Sequence, residues 1–148
     1  TVYASIRGVV MTDGKITCAL PAGASGQSFY VAVYHRNSVQ SWSNPIVINP
    51  TFTTYDFTSS QSQTFGNNAA SVDGLFAMYS GDVNQDEFVD IFDYPTIDVD
   101  NSNFIFGEYV STDINGDGFV DIFDYPVVDN NNANFVFAVH PWLPINWT

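Results

Sequence analysis

Asp82, Asn84, Asp86, Asp90 and Asp93 fall within twelve residues in the pattern D-x-N-x-D-x-x-x-D-x-x-D. Asp113, Asn115, Asp117, Asp121 and Asp124 repeat that pattern further along the chain. Every one of these side chains offers oxygen. A hard dication takes six to eight oxygens at about 2.4 Å, and a tight loop whose alternate residues turn inward delivers them. Asn at the third position contributes an oxygen while limiting repulsion between carboxylates. The backbone carbonyl at the seventh position, Phe88 in one loop and Phe119 in the other, completes the expected set. Two bound calcium ions are the chemistry this spacing predicts.

The spacing is that of an EF-hand-type loop with ligands at positions 1, 3, 5, 7, 9 and 12. Val89 and Val120 occupy position 8, where paired loops commonly join through a short β-bridge. Position 6 requires a sharp turn. The second loop has Gly118 there and the first has Glu87. A side chain in left-handed backbone costs on the order of 1 kcal/mol, so the first site is expected to be the weaker or more strained. Position 12 is Asp and not the longer Glu, so bidentate ligation needs a closer approach. Tyr94-Pro95 and Tyr125-Pro126 follow. Proline is accepted in a first helical turn, which predicts short helices over 93–101 and 124–132, stopped by Asn-rich sequence. The segments ahead of the loops, 77–80 and 109–112, read as extended.

The loops belong to a longer duplication. Asp82–Phe106 and Asp113–Phe137 align without gaps and share 16 of 25 positions. Two such copies are expected to pack about a pseudo-twofold axis. Tandem loops with Asp at position 12 and a single flanking helix resemble dockerin modules, through GDVNQDEFVD and TDINGDGFVD. The whole chain also resembles a C-terminal region of large secreted Bacteroidota proteins. There a β-domain ending in a segment like FYVAVYHRNSVQSWS leads through YDFT and AMYSGDVNQD into paired loops. That resemblance implies structural calcium and an extracellular or cell-surface location. The dockerin role of docking to a cohesin transfers poorly, since Pro- and Asn-containing segments replace the helix faces that carry recognition.

Charge divides the chain. Thirteen of the sixteen acids lie between Asp82 and Asp129, while Arg7, Lys15 and Arg36 are the only Lys or Arg residues, and the formal charge is −13. With no basic patch, nucleic acid and anionic membrane surfaces are excluded as partners. No apolar run approaches the roughly 20 residues of a membrane-spanning helix. Aromatics at 16% support a folded chain despite the acidity. The start at Thr1 reads as a processed or excised segment. Cys18 is the only cysteine and alternates with Ile16 and Leu20, as a buried strand residue would. His35 and His140 read as structural. With no nucleophile elbow, no zinc spacing and the carboxylates committed to calcium, an enzyme is not expected.

Residues 1–78 alternate in the manner of strands, with turn signals at Asp13-Gly14, Gly23 to Gly26, Asn37-Ser38 and Asn49-Pro50. Strands are expected over about 2–11, 15–20, 28–36, 44–48, 52–58 and 74–79. The fold class is therefore mainly β. An immunoglobulin-like sandwich, complete or one strand short, is expected over residues 1–78, and the dockerin-like pair of calcium loops with short helices over 79–137. An apolar tail, 138–148, carries Trp142 and Trp147. An absent strand and a sticky tail point to a structural subunit of an extracellular filament, pilus- or fimbria-like. Its partner would be other copies of itself, joined head to tail by strand donation. Folding back of the tail onto its own sandwich is the simpler alternative. Two other functions stay open: a carbohydrate-binding module stacking glycans on Tyr30, Tyr34, Trp42, Trp142 or Trp147, and a dockerin-type docking module. Asn146-Trp147-Thr148 matches the N-glycosylation pattern and carries little weight at the extreme end.

Overall fold

The computed structural model describes residues 2–107 and 109–141. Its strands are β1 (Ser28–Phe29), β2 (Ala32–His35), β3 (Ser38–Trp42), β4 (Ile46–Val47), β5 (Ala70–Val72) and β6 (Leu75–Ala77). Its helices are α1 (Tyr94–Ser102) and α2 (Tyr125–Ala133). The strands pair antiparallel as β1 with β4, β2 with β3 and β5 with β6. A mainly β chain with two helices is what the sequence leads one to expect. Among the described residues, however, three separate two-stranded ladders stand where two packed sheets were anticipated.

The differences have local causes. Residues 2–11 and 15–20 carry no strand and are exposed throughout. The Asp13-Gly14 turn between them does form: Met11 N–H donates to Lys15 O at 2.9 Å, and the Asp13 carboxylate accepts from the Lys15 backbone and ammonium. Alternation gives such a segment an apolar face, and the two segments do run close, with Gly8 beside Ile16, while Tyr3 lies against Phe29. Beyond the turn, however, no ladder of backbone hydrogen bonds joins them among the described residues. Cys18 is accordingly exposed, not buried. The expected strand over 28–36 is broken at Tyr30 and Val31 into β1 and β2, and 44–48 and 74–79 shorten to β4 and β6. Residues 52–58 form no strand. Tyr55 instead accepts from Asn44 N–H, donates to Gln63 O and packs against a small core of Ala24, Ile46 and Ile48.

The main core lies elsewhere. Val39 from β3 packs with Val83, Val89, Ile97, Ile114, Val120, Val128 and Ala138, edged by Tyr79, Tyr94 and Tyr125. Both copies of the duplication therefore share one apolar centre, and the hairpin β2–β3 reaches into it. Each helix starts with proline in its first turn, where a missing N–H costs nothing. Each ends with a phenylalanine, Phe104 or Phe135, in left-handed backbone at φ 54°. The amide of the following residue then closes back on Asp100 O or Asn131 O at 3.0 Å.

Ile97 is fully buried at this centre, whereas Ile91 is exposed on the surface. Ile97→Ala should lower unfolding stability in urea by about 2–5 kcal/mol. Ile91→Ala should stay within about 0.5 kcal/mol of the parent, and equal losses would mean the core is misplaced.

Candidate metal centre

The two loops are built on their own carboxylates. In the first, Asp93 Oδ1 accepts the amides of Val83 (2.7 Å) and Asn84 (3.2 Å), and Oδ2 accepts that of Asp90 (2.9 Å). Asp82 accepts the amides of Asp86 and Glu87, and Asp86 that of Phe88. The second loop repeats the scheme: Asp124 accepts from Ile114, Asn115 and Asp121, Asp113 from Asp117 and Gly118, and Asp117 from Phe119. Asp93 and Asp124 are wholly buried, and Asp82 and Asp113 nearly so. Position 12 thus fastens the end of each loop to its beginning. With two amides on Oδ1, Asp93 keeps Oδ2 as its less committed oxygen, which favours a single ligand atom over a bidentate pair.

The pair is reciprocal. Val89 N–H donates to Val136 O (2.9 Å) and Val120 N–H to Ile105 O (3.0 Å), residues that correspond under the duplication. Phe88 bridges Phe137, and Phe106 bridges Phe119. Tyr94 and Tyr125 stack at 6.2 Å, and their hydroxyls donate at 2.6 Å to Asp129 and Asp98, each on the other copy's helix. The pseudo-twofold arrangement is present, but the bridge differs from expectation. Val89 and Val120 do not pair with each other. Each loop pairs with the strand-like segment behind the other copy's helix, and the two valines enter the core.

At positions 4 and 6 the loops diverge. Gly116 and Gly118 have φ of 78° and 92°, and the first loop forces Gln85 and Glu87 into the same region at 60° and 79°. Their side chains are used. Gln85 Nε2 donates to Asp82 O at 2.6 Å, and Glu87 accepts from Gln40 of β3 and faces His140 at 3.6 Å.

Oxygen donors and trapped negative charge suit a hard dication. Burial, and then the neighbouring Asp93 carboxylate, push the Asp82 carboxyl up to about 6. Burial also raises Asp93 against the three amides that hold it down. Among the described residues the salt bridges are Lys15 to Asp13 and His140 to Glu87, so no cationic side chain neutralises the ligand positions. Of the expected set, Asp82, Asn84, Asp86 and Asp93, and likewise Asp113, Asn115, Asp117 and Asp124, turn toward one another or the loop amides. Asp90 and Asp121 instead cap the turns that follow, accepting from Phe92 and Phe123. Consistent with this, no three His, Cys, Asp or Glu side chains among the described residues form a ready metal cage. The Phe88 and Phe119 carbonyls occupy the position-7 points of the loops.

Sequence reasoning missed the contribution of the front half. The β2–β3 turn lies against both loops: Arg36 donates to Val110 O (3.0 Å) and Asp113 O (3.2 Å), and Asn37 Nδ2 to Asp113 O (3.1 Å). His35 completes this cluster, with Nε2 facing Arg36 and Nδ1 facing Asn37 Oδ1, both at 3.0 Å. Since Arg36 can only donate, the network assigns the proton to Nδ1. No local sequence signal marks a polar contact across more than seventy residues.

Of the aromatic candidates for sugar stacking, Tyr30 meets Phe65 edge-on and Trp42 is half-buried, donating to Gln40 and leaning on His140. Tyr34 is exposed, and Trp142 and Trp147 lie outside the described residues. No helix among the described residues is long and apolar enough to cross a membrane. Comparison with protein-family models, with characterised proteins and with solved structures finds no match to this chain.

Burial, with the Arg36 charge second, lowers the His35 pKa below 6.5 despite the opposing Asn37 bond. The folded chain therefore binds this proton less readily than the unfolded one. The stability it contributes is complete above pH 6.5 and is lost as pH falls toward the lowered value. An NMR titration of the imidazole should give a midpoint below 6.5, and a midpoint at or above 6.5 would contradict the hydrogen-bond assignment.

Proposed function

We propose that this chain is a calcium-stabilised structural module of the cell exterior, a subunit that joins copies of itself head to tail. The observation that carries the calcium reading is the pair of reciprocal loops whose buried Asp93 and Asp124 gather backbone amides while their charge stays unneutralised. Two ions would be held by Asp82, Asn84, Asp86, the Phe88 carbonyl and Asp93, and by Asp113, Asn115, Asp117, the Phe119 carbonyl and Asp124. Asp90 and Asp121, which cap the following turns, would contribute through water. Calcium supplies positive charge to loops whose carboxylates form no salt bridge among the described residues, with Arg36 reaching only the backbone of the second, and stiffens the acidic half. No chemical transformation is assigned to it.

Assembly is supported by the front half. Val2, Ile6, Val9, Val10 and Met11 are exposed along an extended segment, and three two-stranded ladders leave open edges. A strand contributed by another copy would cover both and complete a sandwich-like layer. A heterologous contact of this kind does not close on itself and gives a filament. An extracellular location is what the resemblance to secreted proteins implies, and calcium there would fill even loops of millimolar affinity.

One observation favours a second reading, a docking module for a different protein. Ile91-Phe92 and Ile122-Phe123 are exposed at equivalent places in the two copies, giving a duplicated apolar surface at the helix starts. Stacking on glycans has less support, since Trp42 is turned into the chain.

Sedimentation velocity in millimolar calcium should show large, polydisperse species that shrink when the ion is chelated. A 16.3 kDa monomer in both conditions would defeat self-assembly and leave the docking reading. On its own, calcium at a hundredfold over its dissociation constant should add about 2.7 kcal/mol of stability per site. An unfolding transition unmoved by calcium or chelator would sink the metal assignment.

A further inference from the structure

The turn between β2 and β3 lies where the two loops begin. Asn37 is 2% exposed. Its backbone carbonyl accepts the amide of Gly81 at 2.7 Å, immediately before Asp82 at position 1 of the first loop. Its side-chain amide donates to the carbonyl of Asp113, position 1 of the second loop, at 3.1 Å. One buried residue is therefore bonded to the start of both loops. Arg36 grips the second start again through Val110 O and Asp113 O. Further along the hairpin, Gln40 bonds Glu87, Gln85 reaches Ser38 O, and Val39 N–H donates to Tyr79 O at 3.0 Å. Val39 itself is part of the core that both loops share.

From this geometry we propose that Asn37, backed by Arg36, is a positioning residue that fixes the two loop entrances relative to each other. A divalent cation seated in one loop then raises the affinity of the other and stiffens the β2–β3 hairpin. The inference rests on the calcium reading above and adds a route by which the ion acts on the front half. The physical basis is direct. Cation binding orders the first turn of a loop, where position 1 sits, and Asn37 cannot stay bonded to a moving Gly81 without also constraining Asp113. Ordering already achieved at one entrance need not be repeated at the other, which is positive coupling. Asn37 would touch no metal in this scheme and would act only through the backbone of the loops.

A mutant cycle read by calorimetric calcium titration tests this. Asp117→Ala cripples the second loop and should weaken binding to the first by about fivefold, the lower end of ordinary coupling between sites. In the Asn37→Ala background the same change should leave the first loop nearly unaffected. Hydrogen exchange gives a readout that a purely local ligand effect would not move: amides of Ser38–Trp42 should slow on calcium addition in the parent and far less in Asn37→Ala. If circular dichroism shows that Asn37→Ala does not fold, Arg36→Gln carries the same comparison. Calcium binding with equal losses in both backgrounds, or with no slowing in β3, overturns the inference while sparing the calcium reading. Absence of any calcium heat in the parent chain overturns both.

Discussion

A buried carboxylate that accepts three backbone amides organises this structure. Asp93 and Asp124 each draw the second, third and ninth residues of a loop onto one side chain. Without that anchor the loop ends would be free of each other, and the helix that starts at the next residue would have no fixed origin. The cost of holding an anion away from water is met partly by those amides, since hydrogen bonds to an ionised acceptor are about twice as strong as neutral ones. The remainder is left as excess negative charge, felt most clearly by Asp82. The same interaction that shapes the loop therefore also makes it electrostatically incomplete.

Duplication makes this arrangement a domain rather than a pair of loops. A single loop and helix has too little apolar surface to bury. Joined about the Tyr94–Tyr125 stack, two of them enclose Val83, Val89, Ile97, Ile114, Val120 and Val128. Symmetry is then broken by what each copy touches. The second loop keeps glycine at both left-handed positions and meets the hairpin through its backbone carbonyls. The first accepts Gln85 and Glu87 there, with their backbone cost, and uses their side chains to reach β3 and the neighbourhood of His140. Strain at these two residues and attachment to the front half are one feature.

Much of the acidic half was legible because its signals are local and repeated. The spacing of Asp82 to Asp93 marks a tight loop, Tyr-Pro marks a helix start within a residue of where it falls, and a gapless duplication marks a symmetric pair. The front half was legible only as β-type sequence. Alternation at Val2, Ala4 and Ile6 states which side of an extended segment is apolar. It says nothing about what lies beside that segment, which among the described residues is side-chain contact such as Tyr3 on Phe29 and not a hydrogen-bonded strand. The reverse error occurred at Ser38–Trp42. Its sequence, SVQSW, has no apolar alternation, yet Ser38, Gln40 and Ser41 are buried along with Val39. Buried polar residues are tolerated when their hydrogen bonds are made, and no buried side-chain donor or acceptor among the described residues lacks a partner. A strand buried through polar contacts to residues some forty to fifty positions away leaves no periodic trace.

The division of charge and apolar surface bears on what this architecture can withstand. The acidic half concentrates repulsion around two loops, whereas the front half is almost neutral and leaves apolar residues exposed. Arg36 and Asn37 sit where these two halves meet, with donors directed at loop carbonyls and a backbone shared with the hairpin. A cation that fixed the loops would hold the β2–β3 hairpin in place, and a fixed hairpin offers a straighter edge to an incoming strand than a mobile one. Metal binding and assembly would then be linked through backbone geometry, although no loop ligand need touch the partner.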